Sequence, residues 1–261
     1  MTASAPPSVV SALRAAGCVF AEEEAELITR AAGSAAERDA MVARRAAGEP
    51  LEYVVGWAEF RGLRVAVRPG VFVPRRRTEF LVERAVALAP PRPVVLDLCC
   101  GAGALGLAIA TALDGVKLHA AELDPVAVEC ARRNIGALGR VYQGDLFAPL
   151  PGGLRGRVDV LVANVPYVPA GEIALLPAEA RDHEARAALD GGADGLDVLR
   201  RVAAEAPYWL APGGSLLIET SERQLPAALG ALRTAGLIAE PAHDPDRSAT
   251  ILIATRPSCG A

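Results

Sequence analysis

The chain has 261 residues, 52% of them hydrophobic, and a formal net charge of −4. That length holds one large domain, or a large and a small one, and the apolar share fills a core without staples. The charge excludes polyanion binding by bulk electrostatics and leaves room for a local basic patch.

Pro6-Pro7-Ser8 precede the first helical pattern, with Ser8 expected as its N-cap. Apolar and alanine positions then run at helical spacing to about Ala47, with a break between two helices at Gly33-Ser34. Gly48-Glu49-Pro50 closes this segment, which predicts a small helical domain over residues 1–50. Val54-Val55, Phe60 and residues 63–67 then cluster or alternate as short strands, with a turn near Arg61-Gly62. Val71-Phe72-Val73-Pro74 continues the pattern, so residues 51–77 are expected to form a β-hairpin linker. Thr78 is expected to cap the next helix, with Glu79 in its first turn.

Residues 78–261 are expected to form one α/β domain. Strands are predicted at 94–98, 116–122, 158–163 and 215–219, with a short one before Gly144, and helices at 104–113, 126–138, 196–210 and 224–235. Such alternation predicts a mostly parallel sheet with helices on both faces. Residues 237–241 and 250–254 add an antiparallel hairpin at the end. The apolar stretch 94–113 is interrupted by Asp97 and three glycines, so it is expected as strand, turn and helix and not as a membrane span.

Five cysteines, Cys18, Cys99, Cys100, Cys130 and Cys259, fit no disulfide or metal spacing. Small buried thiols are expected, in a cytoplasmic chain without a signal peptide. His119, His183 and His243 are dispersed, so no metal site is expected. Trp57 and Trp209 are expected in the core or at domain contacts, and Asp244 and Arg247 as a surface pair in the final hairpin turn.

The strand from Val94 enters Leu98-Cys99-Cys100-Gly101-Ala102-Gly103, whose small residues let backbone approach a ligand at the N-terminus of the next helix. Glu122 ends the following strand, where a carboxylate can accept from both hydroxyls of a ribose. Asp145 could accept from an adenine amino group, with Leu146 or Phe147 covering the ring. A nicotinamide dinucleotide would use the same ribose contact, so the discriminating segment is the one after strand 158–163.

That segment reads Asn164-Val165-Pro166-Tyr167. An amide nitrogen is a poor nucleophile because its lone pair is delocalised. Two acceptors in the NH2 plane, the Asn164 side-chain oxygen and the Val165 carbonyl, would fix its orientation and favour the positive charge that grows on it. Tyr167 can stack on the planar target. If strands 94–98 and 158–163 are neighbours, this loop faces the glycine turn.

With these motifs the chain resembles the class I methyltransferases, and within them the HemK/PrmC type of protein-(glutamine-N5) methyltransferase, which modifies the GGQ loop of peptide release factors. The similarity extends through Gly48-Glu49-Pro50-Leu51-Glu52-Tyr53-Val54-Val55-Gly56, Glu59-Phe60, Val71-Phe72-Val73-Pro74-Arg75 and Thr78-Glu79. It continues in Asp182-His183-Glu184, Ala188-Leu189, Gly191-Gly192 and Asp194-Gly195-Leu196-Asp197. The resemblance implies a Rossmann-like fold and S-adenosyl-L-methionine as methyl donor, leaving as S-adenosyl-L-homocysteine. It implies cofactor contacts at Asp97, Cys99, Gly101, Gly103, Glu122, Leu123, Asp145, Leu146 and Asn164, and the reaction at Asn164, Val165, Pro166 and Tyr167. Phe72, Pro74 and Arg75, with Asn164 and Tyr167, are expected against the substrate, and residues 1–50 are expected to dock a protein such as a release factor.

Three departures stand out. Cys99 replaces the family's usual glycine, which strains the backbone if the position needs positive φ. Val165 replaces the first proline of N-P-P-Y; as it still precedes Pro166, an extended backbone is expected. Arg76 and Arg77 replace a proline-acid pair. The basic stretch Arg61, Arg64, Arg68, Arg75, Arg76 and Arg77 supports an alternative acceptor, a base in rRNA or DNA, through phosphate contacts. A small-molecule amine or amide, and a cofactor-binding module that only docks a partner, are further alternatives.

Overall fold

The computed structural model describes residues 5–258, so Cys259 lies outside the described residues. The chain opens with helices α1 (Pro7–Ala15), α2 (Ala21–Ala31) and α3 (Ala35–Ala46). Proline suits the first helical position, where its missing N–H is no loss, so α1 starts at Pro7 and Ser8 lies inside it, not at its cap. Ser34 caps α3 by accepting from the Glu37 amide at 3.1 Å, and Glu37 returns to the Gly33 amide at 2.8 Å. A second break, at residues 16–20, separates α1 from α2. Val9, Leu13, Ala25, Ile28 and Met41 bury together with Val54, which gives these helices a core of their own.

Val54 and Val55 belong to a short helix, α4 (Leu51–Val55), and not to a strand. Their β-branched side chains suggested extension, but Gly56 at φ 84 ends a helical turn that buries Tyr53 and Val54. Strands β1 (Trp57–Phe60) and β2 (Leu63–Ala66) form the expected hairpin. Val71–Pro74 is irregular, and the chain then enters α5 (Glu79–Leu88).

The main sheet contains β3 (Val94–Leu98), β4 (Lys117–Glu122), β5 (Gly139–Gln143), β6 (Val158–Ala163), β7 (Leu210–Glu219), β8 (Ile238–Asp244) and β9 (Ala249–Thr255). Their order is β5-β4-β3-β6-β7-β9-β8, with β9 antiparallel to both neighbours and the other pairs parallel. Helices α6 (Ala104–Ala112), α7 (Pro125–Ile135), α8 (Ala178–His183), α9 (Asp197–Trp209) and α10 (Leu225–Thr234) complete the fold. Two apolar layers flank the sheet. One contains Phe60, Leu81, Ile109 and Ile135; the other contains Phe147, Leu161, Leu199 and Trp209. This is the expected mixed α/β architecture, mostly parallel, with an antiparallel C-terminal hairpin.

β3 and β6 are neighbours, with Leu98 opposite Ala163. Chain order reverses between them, and at that switch point the strand C-termini open into a crevice. The hairpin is fastened nearby by Asn134 of α7. Its Oδ1 accepts from the Ala66 amide at 2.8 Å, and its Nδ2 donates to the carbonyls of Ala66 at 2.9 Å and Ala102 at 2.8 Å.

Candidate active site

A cleft of about 1320 Å³ opens at the C-terminal ends of β3, β4, β6 and β7. On one side lies the glycine turn. Cys99 and Gly101 both take left-handed backbones, at φ 53 and φ 54. A Cβ added to Gly101 would meet no atom within 4 Å, so the turn presents bare backbone to open space. Cys99 carries the strain of its conformation while its side chain packs against the apolar layer on the α9 side. Burial pushes its thiol up, so it is not a thiolate nucleophile.

Glu122 braces this turn. Its Oε2 accepts from the Gly101 amide at 2.8 Å, and Oε1 accepts from the amides of Leu123 at 2.7 Å and Asp124 at 3.0 Å. A carboxylate offers about four acceptor directions, so one on Oε2 is left for a hydroxyl in the cleft. Asp145 sits further along the same wall, and its Oδ2 accepts from Arg201 at 2.5 Å. Leu146, at φ 46, is buried beside it.

Asp97 lies beneath the turn and is not among the cleft-lining residues. It is fully buried; Oδ2 accepts from the Gly106 amide at 2.8 Å, and Oδ1 has no partner among the described residues. Desolvation pushes its carboxyl up to about 7.

On the other side is the loop that follows β6. Asn164, Val165, Pro166 and Tyr167 all line the cleft. The Val165 carbonyl accepts no backbone hydrogen bond among the described residues, so it is free for a guest. The loop is held from behind. Gln224 donates through Nε2 to the carbonyls of Tyr167 and Asp194, each at 2.9 Å. Gly195, at φ 78, presses so close that an added Cβ would lie 2.3 Å from the Tyr167 carbonyl oxygen. Val168 and Leu189 are joined by a 3.0 Å backbone bond, and Gly191 returns to the Val168 carbonyl at 2.9 Å. The glycines of 191–195 therefore serve as close-packed backing for this loop.

Three residues not expected here complete the site. Glu219 ends β7, only 2% exposed. Its Oε2 accepts from the Thr78 hydroxyl at 2.6 Å, and its Oε1 accepts from Arg77 Nε at 3.1 Å and from the Tyr167 hydroxyl at 3.0 Å. Arg77 Nη2 also donates to the Tyr167 hydroxyl at 2.6 Å, and Asn164 Nδ2 donates to Thr78 Oγ1 at 3.4 Å. Thr78 thus makes no side-chain cap for α5, contrary to expectation. Its hydroxyl is drawn instead to the carboxylate. Burial first, and then the Glu219 charge, push the Tyr167 hydroxyl up, so it stays neutral and is not a base. A sequence signal for Glu219 existed: it closes an apolar strand, as Glu122 does.

Phe72, Pro74 and Arg75 also line the cleft. The Arg75 guanidinium lies 4.9 Å from the Phe72 ring centroid and donates at 2.5 Å to Glu184, whose Oε1 also accepts from the Val73 amide at 3.1 Å. Five of the six arginines of the basic stretch are engaged within the protein, and Arg76 is exposed. Arg61 pairs with Glu83, Arg68 with Glu129, Arg75 with Glu184 and Arg77 with Glu219, while Arg64 lies over Trp57. The pair Asp244–Arg247 forms as expected and is shared with Glu83. Among the described residues no cluster of metal-ligating side chains occurs, and no helix is long and apolar enough to cross a membrane.

Residues 62–193 match the family described as methyltransferase small domain. The release factor glutamine methyltransferase of Geobacter sulfurreducens is 41% identical over 75% of this chain and 69% of its own length. That of Bifidobacterium longum is 34% identical over 88% of this chain and 90% of its own. Among solved structures, a methyltransferase from Pyrococcus furiosus superposes with a TM-score of 0.58 over 85% of this chain and 99% of its own, at 19% identity, which is a likeness of fold.

Proposed function

The chain belongs to the release factor glutamine methyltransferase family, and from that membership we propose that it methylates the side-chain amide N5 of a glutamine in a peptide chain release factor, with S-adenosyl-L-methionine as donor. The observation that carries the reading is the pair of acceptors at one loop, the Asn164 side chain and the unclaimed Val165 carbonyl, facing a glycine turn across the switch point.

The residues present fit that cofactor. Glu122 keeps an acceptor direction for a ribose hydroxyl, Gly101 offers backbone without a side chain, and Asp145 and Leu146 line the far wall. When bound, S-adenosyl-L-methionine supplies a methyl carried on a sulfonium and leaves as S-adenosyl-L-homocysteine.

The protein's own part is orientation. Asn164 Oδ1 and the Val165 carbonyl take the two hydrogens of the glutamine NH2 and hold the nitrogen's developing lone pair toward the turn. Both acceptors stabilise the charge that grows on nitrogen. Such alignment supplies about 7–11 kcal/mol in favourable cases. Methylation makes the nitrogen acidic, so the proton departs to water and no strong base is needed. Tyr167, neutral and fixed by Arg77 and Glu219, covers the planar amide.

We assign residues 1–50 to docking of the protein substrate. Arg45 supports this placement: it bonds Glu24 in α2 and Glu179 in α8, at 2.6 and 2.7 Å, and Glu179 lines the cleft. Engagement of four of the six arginines in internal ion pairs, with Arg64 over Trp57, supports a protein acceptor over a nucleic-acid one.

Mass spectrometry of purified release factor, incubated with enzyme and S-adenosyl-L-methionine, tests the assignment. One added methyl on the GGQ glutamine is expected, and Asn164→Ala should lower its rate by about 100-fold or more while S-adenosyl-L-homocysteine still binds. An unmodified glutamine would overturn the substrate.

A further inference from the structure

Asn164 can serve as an acceptor only if its amide oxygen, and not its NH2, faces the guest. The two ends of a carboxamide are nearly alike in shape, so something must choose between them. We infer that the Glu219–Thr78 pair makes this choice, as a polarity relay behind the acceptor loop. The inference rests on the reading of Asn164 given above.

The logic is a count of donors. Arg77 is an obligate donor, and it reaches Glu219 Oε1. The Tyr167 hydroxyl accepts from Arg77 and donates its one proton to the same oxygen. Glu219 Oε2 then faces Thr78 Oγ1 at 2.6 Å, and an ionised carboxylate can only accept. Thr78 has a single proton and gives it to Glu219. Toward Asn164, therefore, Thr78 presents only lone pairs. The group 3.4 Å from it must be the Asn164 NH2, and Oδ1 is left on the opposite side of the amide for the guest. Thr78 is 1% and Glu219 2% exposed, so water does not scramble the relay. Thr78 and Glu219 are positioning residues: they act through Asn164 and need not touch the substrate.

Glu219→Gln is the informative change because it keeps size and shape. Arg77 will draw the glutamine oxygen to itself, which turns the new NH2 toward Thr78. Thr78 must then accept from Gln and donate to Asn164, so the relay reverses and an NH2 faces the guest. Thr78→Val cuts the relay, and Thr78→Ser preserves it.

Two measurements test this. Methylation kinetics on release factor should show kcat lowered by about 10- to 100-fold in Glu219→Gln and Thr78→Val. Thr78→Ser should stay within about threefold of the parent, and the Kd for S-adenosyl-L-homocysteine should be unchanged in all three. Nuclear magnetic resonance reads the amide directly and needs no substrate. In the parent, the Asn164 side-chain NH2 protons should show a cross-relaxation peak to Thr78, and Glu219→Gln should abolish it. Full activity in Thr78→Val and Glu219→Gln alongside a dead Asn164→Ala would overturn the relay but keep Asn164. An active Asn164→Ala would overturn the reading of Asn164 itself. A missing peak in the parent, or an unchanged one in Glu219→Gln, would overturn the relay whatever the kinetics.

Discussion

Arg77 ties the Tyr167 hydroxyl and the Glu219 carboxylate together, donating to the first at 2.6 Å through Nη2 and to the second at 3.1 Å through Nε. The arginine side chain is 44% exposed and the glutamate 3%, so the pair is wet on one side and dry on the other. Losing one partner of a fully buried pair costs about 3–5 kcal/mol, and exposure reduces that. Arg77→Met should therefore destabilise the fold by about 1–3 kcal/mol in urea unfolding. It should also raise the KM for the protein substrate, because the Tyr167 ring loses its tether. An unchanged midpoint together with an unchanged KM would show that the tether is ornamental.

Asp97 gives the protein a distinctive pH response. Burial raises its carboxyl from an ordinary value of 3.8 to about 7. The folded state therefore holds this proton more tightly than the unfolded chain. Its contribution to stability is complete below about pH 4 and is lost as pH rises toward 7. Asp97→Asn keeps an oxygen for the Gly106 amide and carries no charge. The variant should gain a few kcal/mol relative to the parent between pH 4 and 8, by the linkage of about 1.4 kcal/mol per pKa unit. Paired thermal melts across that range check it; a constant difference would sink the assignment.

Cys99 stands at φ 53, where glycine is at ease and cysteine is not. Relief of a left-handed non-glycine conformation gives back about 1–2 kcal/mol. Loss of a small packed thiol and a freer unfolded chain take back a similar amount. Cys99→Gly should be neutral or stabilising by up to about 1 kcal/mol in denaturant titration. Destabilisation beyond about 1 kcal/mol would mean that the thiol's packing outweighs the strain.

Three backbone N–H groups converge on Glu122, from Gly101, Leu123 and Asp124. A glutamine there must aim its NH2 at one of them. Leaving that donor unmet costs about 1–3 kcal/mol. Glu122→Gln should weaken S-adenosyl-L-homocysteine binding by about 10- to 100-fold in calorimetry. Affinity within threefold of the parent would argue that the carboxylate neither braces the turn nor meets a ribose.

Much of the architecture was legible in residue pattern. Apolar strands alternating with helices forecast the sheet, and the placement of Asn164 opposite the glycine turn followed once β3 and β6 were neighbours. Val54-Val55 misled because β-branching is a local preference, while the helix there is set by Gly56 and by burial of Tyr53. Thr78 misled for a related reason. A threonine before a helix is a natural cap, yet its hydroxyl answers to a carboxylate 141 residues away. Arg77 was visible as a charge, but its partners come from β7 and the β6 loop, and periodicity does not report contacts across a sheet edge. The internal pairing of Arg61, Arg68, Arg75 and Arg77 was equally invisible, since every acid involved lies outside residues 61–77.

Asn134 makes one mechanical piece of two segments that are far apart in sequence. Its single amide grips Ala66 at the end of the hairpin and Ala102 in the glycine turn. Tightening of the turn on a nucleoside should therefore stiffen the hairpin as well. The Ala66 amide hydrogen becomes a remote reporter: its exchange with deuterated water should slow when S-adenosyl-L-homocysteine binds at the turn, and Asn134→Ala should silence that signal.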